Sequence, residues 1–366
     1  MNSITFLAQF PPPVHGLSKA VETLYNSRLN KKYGFSMIDI ADNRKIARTL
    51  WGLMTTRAQT VYFTIAQTKG GNWRDLLFLK IMRMRRKRCI IHLHGGYYRT
   101  MLDRDMGPRQ RRMNIYALQH VDAAIVLGNS LRPIFKGLVP DERVFTVRNC
   151  IDNGFCLKDI AGKAADTDTA ERIHVLYLSN FIASKGYPEL LRVADEIRRR
   201  GLRDKFIFHF AGKFFDPREE EFFKSYVSGH GLGDIVIQHG PTYGEEKVRL
   251  LEQCHIFSLL TTYPNEGQPI SILEAMGNGM AIITTDHAGI PDIATSANGL
   301  TCHKENIDIG AIADYLEKCY NDRPYLRSVA LHNHSVAMAE FTEKAYIDNM
   351  DRVFERVSYE HKENNS

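Results

Sequence analysis

Two glutamates eight positions apart, Glu266 and Glu274, flank a loop and a helix start in residues 263–286, YPNEGQPISILEAMGNGMAIITTD. Gly267, Gln268 and Pro269 follow the first of them. Proline is tolerated in the first turn of a helix, where its missing N–H would have had no partner, so Pro269 marks a helix start. The N–H groups left without intrahelical partners are then those of Ile270, Ser271 and Ile272, at the positive end of the helix dipole. Such an end suits a phosphate or pyrophosphate, and the Ser271 hydroxyl adds a donor. Glu274 lies about one turn further in, at roughly 1.5 Å per residue. A carboxylate repels phosphate but accepts hydrogen bonds from hydroxyls, so carboxylates on both sides of a phosphate pocket suit sugar hydroxyls on both sides. That is the chemistry of a nucleoside diphosphate sugar. Gly277 and Gly279 are expected to end the helix, and the apolar run 280–284 to form a strand.

The elements that would position this segment alternate along the chain. Strand-like runs at 3–9, 35–40, 61–65, 89–93, 123–127 and 143–147 are interleaved with helical patterns, among them 19–30 and 109–119. After residue 172 the pattern resumes with IHVLYL, FIFHFAGK, VIQHGPTY and HIFSLLTTY, each strand separated from the next by a helix-like stretch. Helices are expected at 307–320, 323–341 and 344–359. Alternation of this kind predicts parallel sheets with helices on both faces. Ligands of such sheets sit at the carboxyl ends of the strands. Several polar or glycine-bearing loops fall there: PPPVHG with His15 and Gly16 after the first strand, and HLHGGYY with His94 before Gly95 and Gly96. His92, two residues earlier on the same strand face, competes with His94. In the second half the loops carry Lys185 before Gly186, Gly212 with Lys213, and Gly240 to Tyr243, the last two groups placed to ring the nucleoside end of a site.

Taken together, these segments resemble the retaining glycosyltransferases of family 4, which have the GT-B fold. The resemblance covers nearly the whole chain and is strongest over residues 173–302. It implies an α/β protein of two Rossmann-like doubly wound domains facing across a cleft. The expected divisions are an acceptor-side domain at 1–165, a nucleotide-sugar domain at 166–343, and a helix at 344–366 packing back on the first. Residues 161–171, AGKAADTDTAE, read as an inter-domain linker, with Asn149, Asp152 and Phe155 before it as linker and hinge. The resemblance implies that His94 contacts the donor sugar, that Lys185 neutralises the diphosphate, that Glu266 holds sugar hydroxyls and that Glu274 binds the ribose. The Gly16 loop would border the sugar and phosphate. Ser179 and Asn180 stand where the family often has an arginine, which leaves Lys185 more of the charge. The implied reaction is transfer of a hexose or N-acetylhexosamine with retention, UDP-sugar favoured and GDP-sugar second, to a hydroxyl of a lipid-linked glycan in surface polysaccharide biosynthesis. No cofactor and no metal are expected, since no DxD stands at a strand end. A nucleotide-sugar epimerase or a non-catalytic sensor of the same architecture is the alternative.

Composition fits this reading. The 366 residues, 44% hydrophobic and 25% charged, suit two globular domains rather than disorder. Six scattered cysteines with no CxxC pair suit a reducing cytosol. No run reaches the roughly 18 apolar residues of a membrane span, and no signal peptide is read at the start, so a cytoplasmic or peripheral protein is expected. The first βα turn lacks GxGxxG, which argues against a nicotinamide dehydrogenase, and the chain lacks GxxxxGK[ST], which excludes a Walker-type NTPase. Part of the net charge of +6 is concentrated in Arg83, Arg85, Arg86, Lys87 and Arg88, with Arg104, Arg109, Arg111 and Arg112 nearby. Such runs are solvated helix faces or a patch for an anionic membrane surface or a polyprenyl pyrophosphate acceptor. No interleaved stacking aromatics or fold motif mark them as a nucleic-acid site.

Overall fold

A computed structural model describes residues 3–12 and 16–363, so His15 lies outside the described residues. The chain divides into two compact units, residues 1–150 with 343–366, and residues 151–342. Each is built on a six-stranded parallel sheet. In the first, β1 (Ile4–Ala8), β2 (Phe35–Asp39), β3 (Thr60–Thr64), β4 (Arg88–His92), β5 (Ala123–Val126) and β6 (Val144–Thr146) stand in the order β2-β1-β3-β4-β5-β6. In the second, β7 (Ile173–Leu178), β8 (Phe206–Ala211), β9 (Val236–Gly240), β10 (Ile256–Leu259), β11 (Ala281–Thr285) and β12 (Gly299–Cys302) stand in the order β12-β11-β10-β7-β8-β9.

Strands covered on both faces read as unbroken apolar runs, and β1, β3, β8 and β10 are buried from end to end. Parallel strands need crossover helices, and right-handed crossovers put the helix on a face set by the direction of travel along the sheet. In the first unit the step from β1 to β2 runs one way; the steps to β3, β4 and β5 run the other. The helices Ile46–Thr55, Lys69–Met84 and Pro108–Leu118 therefore share one face. The opposite face is covered by helix Gly16–Tyr25 and by the last helix, Glu343–Glu363. Tyr346, Met350, Val353, Phe354 and Val357 of that last helix recur at helical spacing and bury against Phe6 and Tyr62.

Two local expectations change. Residues 161–171 are no linker: a helix, Ile160–Thr169, runs through them inside the second unit. The Asp159 carboxylate caps it by accepting from Gly162 N at 2.9 Å, and Ala164 and Thr167 are buried. The expected helix 19–30 is two helices, Gly16–Tyr25 and Leu29–Tyr33, broken at residues 26–28. Beyond the 3₁₀ turn Ile290–Asp292, β12 pairs in parallel with β11. Gly299 opens it at φ +149°, where a Cβ would lie 2.1 Å from the Ile282 carbonyl oxygen. Among the described residues no helix is long and apolar enough to cross a membrane.

Candidate active site

In the second sheet the strand order reverses between β7 and β10, and the loops that leave their carboxyl ends diverge there. Lys185 comes from the loop after β7 and Glu266 from the loop after β10. A 3₁₀ turn, Ala183–Lys185, lifts the lysine off the strand, and Gly186 at φ +89° turns the chain into helix Tyr187–Arg199. The turn is pinned to the neighbouring loop by Thr262 N donating to Ser184 O at 2.7 Å. Lys185 Nζ then donates to Glu266 Oε2 at 2.5 Å and lies 4.6 Å from the centre of the Tyr263 ring. The Thr261 hydroxyl, 3.1 Å away, donates to the same carboxylate oxygen. The two charged side chains are only 15% and 9% exposed, so each depends on the other for its partner.

Gly186 is irreplaceable by geometry. A Cβ there would stand 2.4 Å from the Leu260 carbonyl oxygen, in a left-handed conformation that L side chains avoid. Gly186→Ala is expected to cost about 2–4 kcal/mol and to lower the melting temperature of the second unit by about 5–15 °C. An unchanged melting curve would refute this account of the turn.

Helix Ile270–Gly277 begins as the sequence suggests, with Pro269 at its cap position. One of the three expected donors is used internally: Ile272 N donates to Pro269 O at 3.2 Å, because the first turn is tight. The N–H groups at the open end are those of half-buried Ile270 and Ser271. Gly267 O accepts from Gly289 N at 2.9 Å, which ties the preceding loop to the one after β11, and Gln268 is buried. Glu274 is buried and its Oε1 accepts from Lys247 Nζ at 2.7 Å. Burial pushes the Glu274 carboxyl above its usual range; Lys247 opposes this and Asp152 adds to it. Lys247 also lies 4.1 Å from the centre of the Phe155 ring. Of the expected hinge residues, Phe155 thus lies against the partner of Glu274 and Asp152 acts on the Glu274 carboxyl, both within the second unit. Lys247 itself was not foreseen: it is one of four charged residues in GEEKVR, and nothing in spacing distinguishes it.

The remaining candidates of this unit lie at the same edge of the sheet. Gly212, at φ +154°, passes so close to Ser179 that a Cβ would overlap its carbonyl oxygen, and its N–H donates to Gly240 O at 2.8 Å. Lys213 O accepts from Phe181 N at 3.0 Å, which joins the loops after β7 and β8. Asn180 is exposed and its carbonyl accepts from the Tyr177 hydroxyl at 2.8 Å. Tyr243 is 72% exposed at the start of helix Gly244–Gln253.

His94 and Gly16 belong to the first unit. Gly16 is exposed and opens the helix after β1. His94 is half-buried two residues beyond β4, and its ring centre is 3.9 Å from that of His92. His92, the competing candidate, is fully buried, and its Nδ1 is 2.7 Å from the Tyr62 hydroxyl. Burial, then His94, pushes its pKa well below the usual value. It is a neutral core histidine. The basic run divides as well: Arg83, Arg85 and Arg86 are exposed, but Lys87 Nζ turns inward to the carbonyls of Thr56 and Ala58, and Arg88 reaches the carbonyl of Val357.

A row of imidazoles crosses the second sheet that no motif announced. His174 Nδ1 is 2.8 Å from His209 Nε2, His209 Nδ1 is 2.9 Å from His239 Nε2, and His255 Nδ1 accepts from the backbone N–H of His174 at 3.1 Å. Burial, then the neighbouring histidines, pushes His209 to about 3. Burial, then Lys163 and other cations, pushes His255 to about 3.

Residues 164–334 match the family model described as glycosyl transferases group 1. No curated protein matches the chain. Among solved structures, Anabaena Alr3699/HepE in complex with UDP is similar with a TM-score of 0.74 at 14% identity, over 96% of this chain and 99% of that one. Sucrose-phosphate synthase from Thermosynechococcus elongatus gives 0.75 at 14% identity, over 98% of this chain and 100% of that one. An α,α-trehalose-phosphate synthase (UDP-forming) from Burkholderia xenovorans, in complex with glucose-6-phosphate, gives 0.65 at 14% identity, over 85% and 76%. At such identity the likeness is one of fold, and the fold is that of the GT-B glycosyltransferases.

Proposed function

We propose that this chain, a glycosyltransferase by the group 1 domain at residues 164–334, transfers a hexose or N-acetylhexosamine from a nucleoside diphosphate sugar to a glycan hydroxyl with retention. A UDP-sugar is the favoured donor and a GDP-sugar the second. The observation that carries the reading is the pairing of Lys185 with Glu266, together with Glu274, around the open end of helix Ile270–Gly277 at the strand-order reversal.

In the reaction the bond between the anomeric carbon and the leaving phosphate oxygen breaks on the face where the acceptor oxygen bonds. The acceptor proton passes to the departing phosphate. Charge therefore accumulates on the diphosphate, and donors fixed in advance at that place lower the barrier. Lys185 Nζ and the N–H groups of Ile270 and Ser271 fill that role, with no metal required. Glu266, released from Lys185 when phosphate takes the ammonium, accepts from the sugar hydroxyls. Glu274 accepts from the ribose, held in place by Lys247. Asn180, Gly212, Lys213, Tyr243, Gly267, Gln268 and Pro269 shape the donor pocket. The acceptor is a lipid-linked glycan of surface polysaccharide biosynthesis, met at the inner face of the cytoplasmic membrane.

Thermal stabilisation by UDP, GDP and ADP tests the donor half. A nucleotide at 100 times its dissociation constant adds about 2.7 kcal/mol to stability, and the gain should shrink in Glu274→Ala. No shift from any nucleotide at millimolar concentration would refute the reading. Turnover that continues without an acceptor would favour an epimerase instead.

A further inference from the structure

The outer side of the three-helix layer of the first unit is apolar where a solvated surface should be polar. Each helix turns one stripe inward against the sheet and another outward. On helix Ile46–Thr55, Thr49 and Leu53 are buried while Trp51 and Met54, three apart, face out. On helix Lys69–Met84 the outward stripe is Trp73, Leu77, Lys80 and Met84, spaced by four, three and four residues. Pro108–Leu118 continues it with Arg109, Arg112, Met113 and Tyr116. Adjacent helices pack side by side, and the Arg83 guanidinium stacks 4.5 Å from the centre of the Tyr116 ring, tying two of the outer faces together. Seven of the fourteen large apolar side chains exposed among the described residues lie on these three helices, with Trp51 at 72% and Met84 at 62%. Contiguous exposed apolar surface of this kind marks an interaction site.

Charge says what covers it. The three helices contain one acidic residue, Asp75, and it is buried against Arg74 and the N–H of Ala66. Exposed basic residues are interleaved with the apolar ones, and of the exposed carboxylates just before helix Pro108–Leu118, Asp103 is engaged by Arg99 and Arg111 and Asp105 accepts from the Tyr97 hydroxyl. The occupant must offer negative charge to the rim and an apolar interior to Trp51, Trp73, Leu77 and Met84. An anionic bilayer meets both demands, because its headgroups take the arginines while Trp, Leu and Met enter the acyl boundary.

We infer that the outer face of helices 46–55, 69–84 and 108–118 is a membrane-docking surface for anionic lipid, seated by Trp51, Trp73, Leu77 and Met84 and steered by Lys80, Arg83, Arg109 and Arg112. The inference deepens the lipid-linked-acceptor reading but stands on this surface alone. The bilayer would hold the first unit flat against the layer in which such an acceptor resides.

The molecule carries its own reporter, since its only two tryptophans, Trp51 and Trp73, both lie on this face. Adding vesicles of equimolar phosphatidylcholine and phosphatidylglycerol to the wild-type protein should shift tryptophan emission to the blue, and brominated acyl chains should quench it. Arg109→Ala with Arg112→Ala should weaken vesicle binding roughly 30-fold. Leu77→Glu with Met84→Glu should abolish the shift while stabilisation by UDP persists; if that variant does not fold, the wild-type quenching decides. Absence of a shift, or binding without quenching, overturns the proposal. So does blue emission that depends on protein concentration without lipid, which would make the face an interface between copies. A protein that docks yet gains no stability from UDP fails the donor reading and keeps this one.

Discussion

Replacing Lys185 by alanine should lower kcat/KM for donor turnover by about 100- to 1000-fold, the usual effect of deleting one preorganised donor to a developing oxyanion. The same change should destabilise the second unit by about 3–5 kcal/mol. It leaves the Glu266 carboxylate, 9% exposed, with the Thr261 hydroxyl in place of an ammonium. Adding Glu266→Gln removes the uncompensated charge, so the double variant should recover most of the stability and none of the turnover. Melting of the transition that UDP shifts, alongside steady-state kinetics, separates the two effects. Full stability in Lys185→Ala would mean that the pair is not held together in solution. Recovered turnover in the double variant would remove Lys185 from the diphosphate.

The second large effect is on pH dependence. His209 and His255, both pushed to about 3, stay neutral in the folded unit while their unfolded counterparts take up protons below about 6.5. The unfolded state then binds more protons, so stability is complete above about pH 6.5 and falls as pH drops towards 3. The slope is up to about 1.4 kcal/mol per pH unit for each histidine. Asp75 of the first unit acts in the opposite sense: burial raises its carboxyl to about 6, so it gains stability between about pH 6 and its unfolded value. The first unit thus sets one acid-labile histidine, His92, against Asp75, and the second sets His209 and His255 against Glu274, so the second unit should be the first to melt in acid. His209→Gln with His255→Gln should flatten the pH dependence of the UDP-sensitive transition between pH 6.5 and 4.5. An unaltered slope would assign the acid lability elsewhere.

The parallel α/β architecture was legible because buried parallel strands are written as short unbroken apolar runs between helical patterns, as in β8 and β10. The helix start at Pro269 was legible for a local reason, the fixed φ and missing N–H of proline. Features made by tertiary register were not. Lys185 and Glu266 are 81 residues apart, and only the adjacency of β7 and β10 brings them together. The histidine row has one member on or beside each of four strands, so no window of sequence contains two of them in contact. The helix at 160–169 was hidden because its Asp, Thr and Gly residues are equally the residues of loops, and Asp159 acts as a cap only once the helix exists. The outward stripe of Trp73, Leu77 and Met84 follows the same spacing as a core stripe, and burial alone tells them apart.

The two units differ in how the chain is threaded through them. The second is one continuous stretch, whereas the core of the first includes Tyr346, Met350, Val353, Phe354 and Val357, made after everything else it contacts. During synthesis the second unit has all its residues before the first has its final helix, although the first began earlier. One face of the β1–β6 sheet, with Phe6 and Tyr62, must wait uncovered while about 190 further residues are added at roughly 5–20 per second, ten seconds or more on that scale. A chain truncated after residue 342 would carry a finished second unit joined to an unfinished partner with bare apolar surface, the kind of intermediate that chaperones exist to hold.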